Sequence, residues 1–470
     1  MLHDPDRHEA LRDIDWNEAR AREAIARIVA DAENRYSPDR YWPAHPLDAD
    51  GDDAPDQLTT PLYHGACGVM WALRHLQALG AARVTRSHVD ELGRLLARNR
   101  AWLGSSAEAE KASYLMGDTP ILLLAHGAAP TAELAEEYAE QLAALIEGNL
   151  EHPARELMWG SPGTLQAALF LHERTGEARW ADLFRRTAAK LWTQLLWSAE
   201  HGCRYWTQDL YGRQGTYLDA VHGFVATASV LIRGRQRFDG DTWNGWERCI
   251  VDTITRTASR EGNGANWRAQ LLTTAAAPPR MLMQFCHGAP GFVICLADVP
   301  GTELDDLLVA AGEATWAAGP LSKGSNLCHG TGGNGYAFLK LYRRTGNDMW
   351  LARARAFAMH GIAQTEAAAV KYGQMRYSLW TGDPGFAIYL HDCVHGAANF
   401  PTLDVFDFDS TALSDVATPH HASLGSHDRL DAAACLAGTG LERHRPRPLA
   451  QPGARSNAGA AGRRHRGGRA

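Results

Sequence analysis

The chain has 470 residues, 45% apolar and 21% charged, enough for one very large core or two to three ordinary ones. Its net charge of −7 gives no general pull toward nucleic acid or an anionic membrane surface, and no apolar run approaches the roughly 18 residues that span a bilayer. Eight Cys without short regular spacing do not read as a disulfide framework. The charged stretch Met1 to Glu9 lacks the apolar core of a secretion signal, so a cytoplasmic protein with reduced thiols is expected.

Along the chain one turn recurs seven times. The copies are Tyr63-His64-Gly65, Leu115-Met116-Gly117, Met158-Trp159-Gly160, Val221-His222-Gly223, Cys286-His287-Gly288, Cys328-His329-Gly330 and Trp380-Thr381-Gly382. Their glycines are spaced by 52, 43, 63, 65, 42 and 52 residues, and an apolar stretch such as Val69 to Leu73 follows each turn. Between the copies lie amphipathic segments with helical spacing, for example Thr131 to Asn149 and Trp180 to Trp197. Strand-type alternation is scarce.

Each unit therefore reads as a helix pair joined by a glycine turn, with a polar outer helix and a more apolar inner one. Seven such units cannot bury their apolar faces singly, so they are expected to close into one all-α domain. That domain is an α/α toroid, a double ring of helices with the turns clustered at one mouth. In the turns, Gly is expected to allow positive φ, and the second Gly three residues later to permit close helix approach.

The end of the chain differs. Up to Phe408 the sequence reads as folded, with a last apolar stretch at 400–406. From Ser410 it turns Ala/Gly/Arg/His-rich, without Trp, Tyr or Phe, and residues 411–470 carry nine Arg against four acids. The expected boundaries are a toroid over 1–409 and a disordered tail over 410–470. A shifted reading frame near the natural end, or a basic tail that recruits an anionic partner, are the alternatives.

The chemistry sits in the two Cys-His-Gly turns. Cys286 and the adjacent pair Cys328-His329 offer two thiolates and an imidazole, the ligand set of a zinc ion with one position open. The competing reading is that a Cys at a helix start is a small buried apolar residue. Helix N-termini favour thiolate over thiol, which metal binding requires. His287 reads either as a fourth ligand or as a neighbour of the ligands. Cys203, Cys249, Cys295 and Cys393 read as core.

The phrases Gln284-Phe285-Cys286-His287-Gly288-Ala289-Pro290-Gly291 and Leu327-Cys328-His329-Gly330-Thr331-Gly332-Gly333-Asn334-Gly335-Tyr336, with the seven turns, resemble the lanthionine synthetase C (LanC)-like family. The likeness runs over about residues 15–408 and is strongest to the stand-alone branch of eukaryotic LanC-like proteins. It implies an α/α toroid with Zn²⁺ on Cys286, Cys328 and His329, and water or an incoming thiol in the fourth position. It implies addition of a thiolate to dehydroalanine or dehydrobutyrine, forming a thioether, followed by protonation of the enolate.

The same resemblance gives His222 the place of the family's active-site His, against a pocket His without catalytic duty. Glu156 takes the place of an acid that orients or couples to it, against a surface or helix-capping carboxylate; Asp219 is a weaker version of that assignment. Lys323 resembles a basic residue that stabilises thiolate or enolate, against a solvated loop Lys. His64 carries no family role. The implied partners are a dehydrated peptide or protein, with either a Cys of the same peptide (cyclisation) or glutathione as the thiol source, and a separate dehydratase, since the toroid consumes the chain. The alternatives are a non-catalytic zinc protein that binds glutathione or a peptide, and an α/α-toroid glycoside hydrolase, which would need paired carboxylates at the mouth.

Overall fold

The computed structural model describes residues 1–48, 58–104, 110–272 and 280–408. The expected tail, and its boundary at 409/410, lie outside the described residues. Among the described residues there are fourteen α-helices, in two alternating sets.

The inner set follows the glycine turns: α2 (Ala66–Ala78), α4 (Thr119–Ala128), α6 (Ser161–Thr175), α8 (Phe224–Arg233), α10 (Ala289–Leu296), α12 (Thr331–Thr345) and α14 (Asp383–His395). The outer set comprises α1 (Glu18–Arg35), α3 (Leu92–Leu103), α5 (Ala132–Gly148), α7 (Ala178–Thr193), α9 (Gly240–Thr257), α11 (Asp305–Ala318) and α13 (Asp348–Tyr372). Each inner helix packs on the next, and α14 packs back on α2, so the inner ring closes. Helix α1 lies against α14 and completes the outer layer. The expected double ring is present.

Burial follows the sequence pattern. Helix α7 buries Trp180, Leu183, Phe184, Thr187, Ala188 and Leu191, one stripe at a spacing of three and four residues. The inner helices α10 and α14 bury nearly every side chain, because they face outer helices on one side and the ring interior on the other. Helix α5 starts and stops where its pattern predicts: Thr131 caps it through the Leu134 N–H, and Asn149 ends it. The segment predicted to run helically to Trp197 stops at Thr193 and continues as a strand.

That strand opens a feature the periodicity did not indicate. Three short antiparallel hairpins pair β1 (Leu196–Ser198) with β2 (Cys203–Tyr205), β3 (Gln208–Leu210) with β4 (Arg213–Gly215), and β5 (Ala258–Glu261) with β6 (Gly264–Trp267). They lie in the third and fourth intervals between turns, which are the two longest. Strands of three and four residues are too short to show alternation.

The glycines of the turns work differently from expectation. Of the helix-capping glycines in the seven turns, only Gly288 has positive φ, at 123°; Gly65, Gly160, Gly223, Gly330 and Gly382 are extended. They are glycine because the chain just before them folds back onto them: a Cβ on Gly223 would sit 2.2 Å from the Asp219 nitrogen. The second glycine does have its expected role. A Cβ on Gly291 would meet the Phe285 carbonyl at 2.0 Å and the Ala220 Cβ of the neighbouring turn at 2.6 Å.

Because all seven turns reach the same level, their backbones join into a collar. The N–H of Cys286 donates to the Cys328 carbonyl (3.1 Å), Cys328 to Trp380 (2.8 Å), Trp380 to Tyr63 (3.1 Å), Tyr63 to Leu115 (3.0 Å) and Leu115 to Met158 (3.3 Å). The Leu157 N–H then donates to Val221 (3.2 Å). Among the described residues no such bond joins the fourth turn to the fifth, where the side chains of Asp219 and His287 make the link instead (2.7 Å).

Below the collar the ring is filled. Residues 400–408 run through its interior, where Trp71, Tyr114 and Gln166 donate to the carbonyls of Phe406, Thr402 and Leu403. The fully buried Lys340 ammonium pairs with Asp404 at 2.9 Å and Asp298 at 3.0 Å. With the interior occupied below them, the turns form the mouth of the ring among the described residues.

Candidate metal centre

Cys286, Cys328 and His329 stand on adjacent turns, and the collar bond between residues 286 and 328 sets their register. The two Sγ atoms and an imidazole nitrogen lie within 4.8 Å of one another. Two soft sulfurs and one imidazole match Zn²⁺ better than any oxygen-seeking cation. Three donors leave a fourth position open.

The surroundings treat the two thiols unequally. Cys328 is pulled below its ordinary pKa by a hydrogen bond from Cys286, against the opposing effect of burial. The Tyr63 hydroxyl, at 2.9 Å, and the cations Lys323 and Arg376 add to this. Cys286 is pushed well above its ordinary value by burial and by its bond to Cys328. The Gln284 side-chain amide donates to Cys286 Sγ at 2.9 Å, so it favours the thiolate when an ion takes the place of the second thiol. His329 is held neutral, its pKa lowered to about 3 by burial and then by Lys323, Arg376 and Arg7, which is the state a ligand needs.

A second device repeats on the next two turns. Glu156, four residues before Gly160, is fully buried; it accepts the N–H groups of Met158 (2.9 Å) and Trp159 (2.6 Å) and bonds His222 Nδ1 (2.8 Å). Asp219, four residues before Gly223, does the same one turn further round: it accepts from Val221 (3.1 Å) and His222 (2.7 Å) and bonds His287 Nδ1 (2.7 Å). Each acid caps its own turn and holds the imidazole of the following one. Glu156 is buried rather than on the surface, and the N–H groups it accepts belong to the turn, while Gly160 takes the helix N-cap without a side-chain bond.

The rings of His222 and His287 lie 6.5 Å apart. Burial opposes protonation of His222, but the bond and charge of Glu156, then Asp219 and Cys286, outweigh it and raise its pKa. Burial also opposes protonation of His287, and Asp219 and Cys286 reverse it. His287 stands outside the three-donor group, beside the ligands, with Nδ1 committed to Asp219.

Lys323 lies exposed on the loop before Cys328, close enough for its ammonium to interact with both sulfurs. Asp219 faces His287 rather than the His222 ring. Cys203, Cys249, Cys295 and Cys393 are buried away from this group, with burial raising each thiol.

Sequence reasoning missed several neighbours. Arg7 arrives from an N-terminal arm that lies along the 319–322 loop, its Ser322 N–H to Arg7 carbonyl bond measuring 3.0 Å. The Arg7 guanidinium donates to Gln284 Oε1 at 3.0 Å. Tyr63 could have been found, since it occupies the same place in the first turn as Cys286 and Cys328 in theirs.

A closed seven-unit helical ring with a Cys/Cys/His cluster at its mouth defines the class. The chain belongs to the lanthionine synthetase C-like family, whose profile matches residues 56–405. It is 36% identical over 138 residues to a Danio rerio protein named glutathione S-transferase LANCL1, covering 27% of this chain and 32% of that one. It is 32% identical over 238 residues to Arabidopsis thaliana LanC-like protein GCL1, covering 48% of this chain and 51% of that one. The matched regions thus span about a third and a half of these relatives. Nisin cyclase shares the fold, with TM-score 0.56 and 14% identity over 83% of this chain and 98% of that chain. No described helix is long and apolar enough to cross a membrane.

Proposed function

We propose that this protein is a zinc-dependent enzyme that adds a thiol to dehydroalanine or dehydrobutyrine residues, forming a thioether. The observation that carries the reading is the meeting, on neighbouring turns of one mouth, of a three-donor metal cluster and an imidazole whose proton affinity is raised by a buried acid. Cys286, Cys328 and His329 would hold Zn²⁺, which in such a site lowers the pKa of a bound thiol so that it is a thiolate near neutral pH.

In the reaction the thiolate forms a bond to the β-carbon, and the electrons of the double bond move onto the α-carbon and its carbonyl. His222, whose proton affinity Glu156 raises, gives its proton to that α-carbon and recovers one from solvent. Glu156 keeps the ring oriented through Nδ1, leaving Nε2 for the substrate. Lys323 stabilises negative charge on the thiolate or enolate from the rim.

Glutathione is the favoured thiol source. Arg7, Lys323 and Arg376 all act electrostatically on the cluster and would suit an anionic thiol, and the name of the Danio rerio relative supports the same choice. A dehydrated protein or peptide, made by a separate dehydratase in a reducing cytoplasm, would be the other substrate. The glycoside hydrolase reading loses ground, since Glu156 and Asp219 are each committed to two backbone N–H groups and an imidazole.

The test incubates a dehydroalanine peptide with the protein, with and without glutathione, and reads the mass. A glutathione adduct supports transfer; unchanged mass with a blocked peptide Cys supports cyclisation. A His222→Ala variant that keeps its zinc and loses activity supports the enzyme over a binding protein. Unchanged activity in that variant removes His222 from the mechanism.

A further inference from the structure

On the flank of the ring, away from the mouth, α2, α3 and the connection between them enclose a cleft of about 310 Å³. Met70, Leu73, Val84 and Leu92 form an apolar floor, and Arg74, Arg86 and His88 stand among the polar lining residues. No carboxylate lines it.

His88 is 9% exposed, yet neither ring nitrogen has a hydrogen-bond partner among the described residues. Tyr36 and Trp42 pack against its ring, with centroids at 4.7 and 5.6 Å, and neither hydrogen-bonds it; the Tyr36 hydroxyl is likewise buried without a partner among the described residues. A buried imidazole without a partner is costly and calls for a ligand.

The two guanidiniums are equally uncommitted. Arg74 lies over the Phe408 ring at 4.4 Å and Arg86 over Tyr36 at 4.8 Å, and neither makes an ion pair among the described residues. The nearby acids are occupied: Glu33 accepts the Thr85 and Arg86 N–H groups, Glu91 pairs with Arg94, and Asp407, whose charge reaches Arg74, pairs with Arg174. Positive charge over an apolar floor remains, in a space at the lower end of the about 300–1,000 Å³ typical of small-molecule sites.

We propose that this cleft is a second binding site, separate from the thiol chemistry, for a small carboxylic acid with an apolar body. Arg74 and Arg86 receive the carboxylate, His88 donates one N–H to it, and the apolar body lies on Met70, Leu73, Val84 and Leu92. The site does not rest on the function proposed for the mouth.

The test is a ligand-observed NMR titration of the full chain with hexanoate and with hexan-1-ol. Hexanoate saturates one site per chain, and hexan-1-ol binds at least about tenfold more weakly, the loss expected for a charge-assisted contact. Arg86→Gln, at an exposed position that leaves the fold alone, weakens hexanoate about tenfold and leaves hexan-1-ol unchanged; His88→Asn does the same. Lys323→Gln, at the mouth, leaves hexanoate binding intact. Absence of saturable hexanoate binding overturns the proposal. So does equal binding by wild type and Arg86→Gln, or a loss confined to Lys323→Gln.

Discussion

Replacing Glu156 with Gln separates the two duties of that carboxylate. One oxygen accepts the Trp159 N–H at 2.6 Å; the other accepts the Met158 N–H at 2.9 Å and bonds His222 Nδ1 at 2.8 Å. Gln presents one acceptor and one NH₂, so at least one donor loses its partner and meets another donor. Hydrogen bonds to a charged group are worth about 1.5–3 kcal/mol each. With one such bond lost, the expected destabilisation is about 1.5–3 kcal/mol, read as a lower denaturant midpoint.

The effect on catalysis has a sign of its own. Glu156 is the main group raising the His222 pKa against burial. A general acid is active while protonated, so the rate falls as pH rises through that pKa. In Glu156→Gln the alkaline limb of the pH–rate profile for glutathione addition moves to lower pH. Above that limb the rate is reduced by up to the about 10²–10⁴-fold that general acid catalysis contributes. A variant destabilised as stated whose alkaline limb stays in place would refute the coupling and leave Glu156 as a cap.

Two further substitutions test the glycine geometry and the environment of the sulfurs. Gly291→Ala places a Cβ 2.0 Å from the Phe285 carbonyl and should cost about 1–3 kcal/mol, whereas Gly93→Ala, in α3 with open space around it, should gain about 0.4–1 kcal/mol. Equal thermal shifts for the two would contradict the packing account. Tyr63→Phe removes the hydroxyl that donates to Cys328 Sγ and should weaken zinc about 10–100-fold in a chelator competition, with little change in melting temperature. Unaltered zinc affinity would show that the bond is incidental.

The repeat carried most of the fold into view. Seven glycine turns with apolar sequels specify seven inner helices, and intervals of 42–65 residues leave room for an outer helix each. The hairpins stayed hidden because three or four residues do not establish a period. The glycines were correctly singled out, but for Gly223 and its equivalents the cause is a folded-back chain, a steric relation between residues four apart that no local propensity reports.

At the site, Cys286, Cys328 and His329 were legible because metal donors are rare residue types in a repeated frame. Glu156 and Asp219 share one position in their turns, yet each serves the imidazole of the following turn, a relation that only the closed ring makes visible. Arg7 was beyond reach, since nothing in a charged N-terminal stretch says it will lie along a loop more than 300 residues away.

X-ray absorption at the zinc edge, on full-length protein after metal quantification, addresses the metal centre most directly. One zinc per chain is predicted, with two sulfur neighbours at about 2.3 Å and a nitrogen neighbour at about 2.0 Å, one sulfur being lost in Cys286→Ser and one in Cys328→Ser. Protein supplied with zinc that retains none, or a sulfur count unchanged in both variants, would contradict a metal centre on these turns.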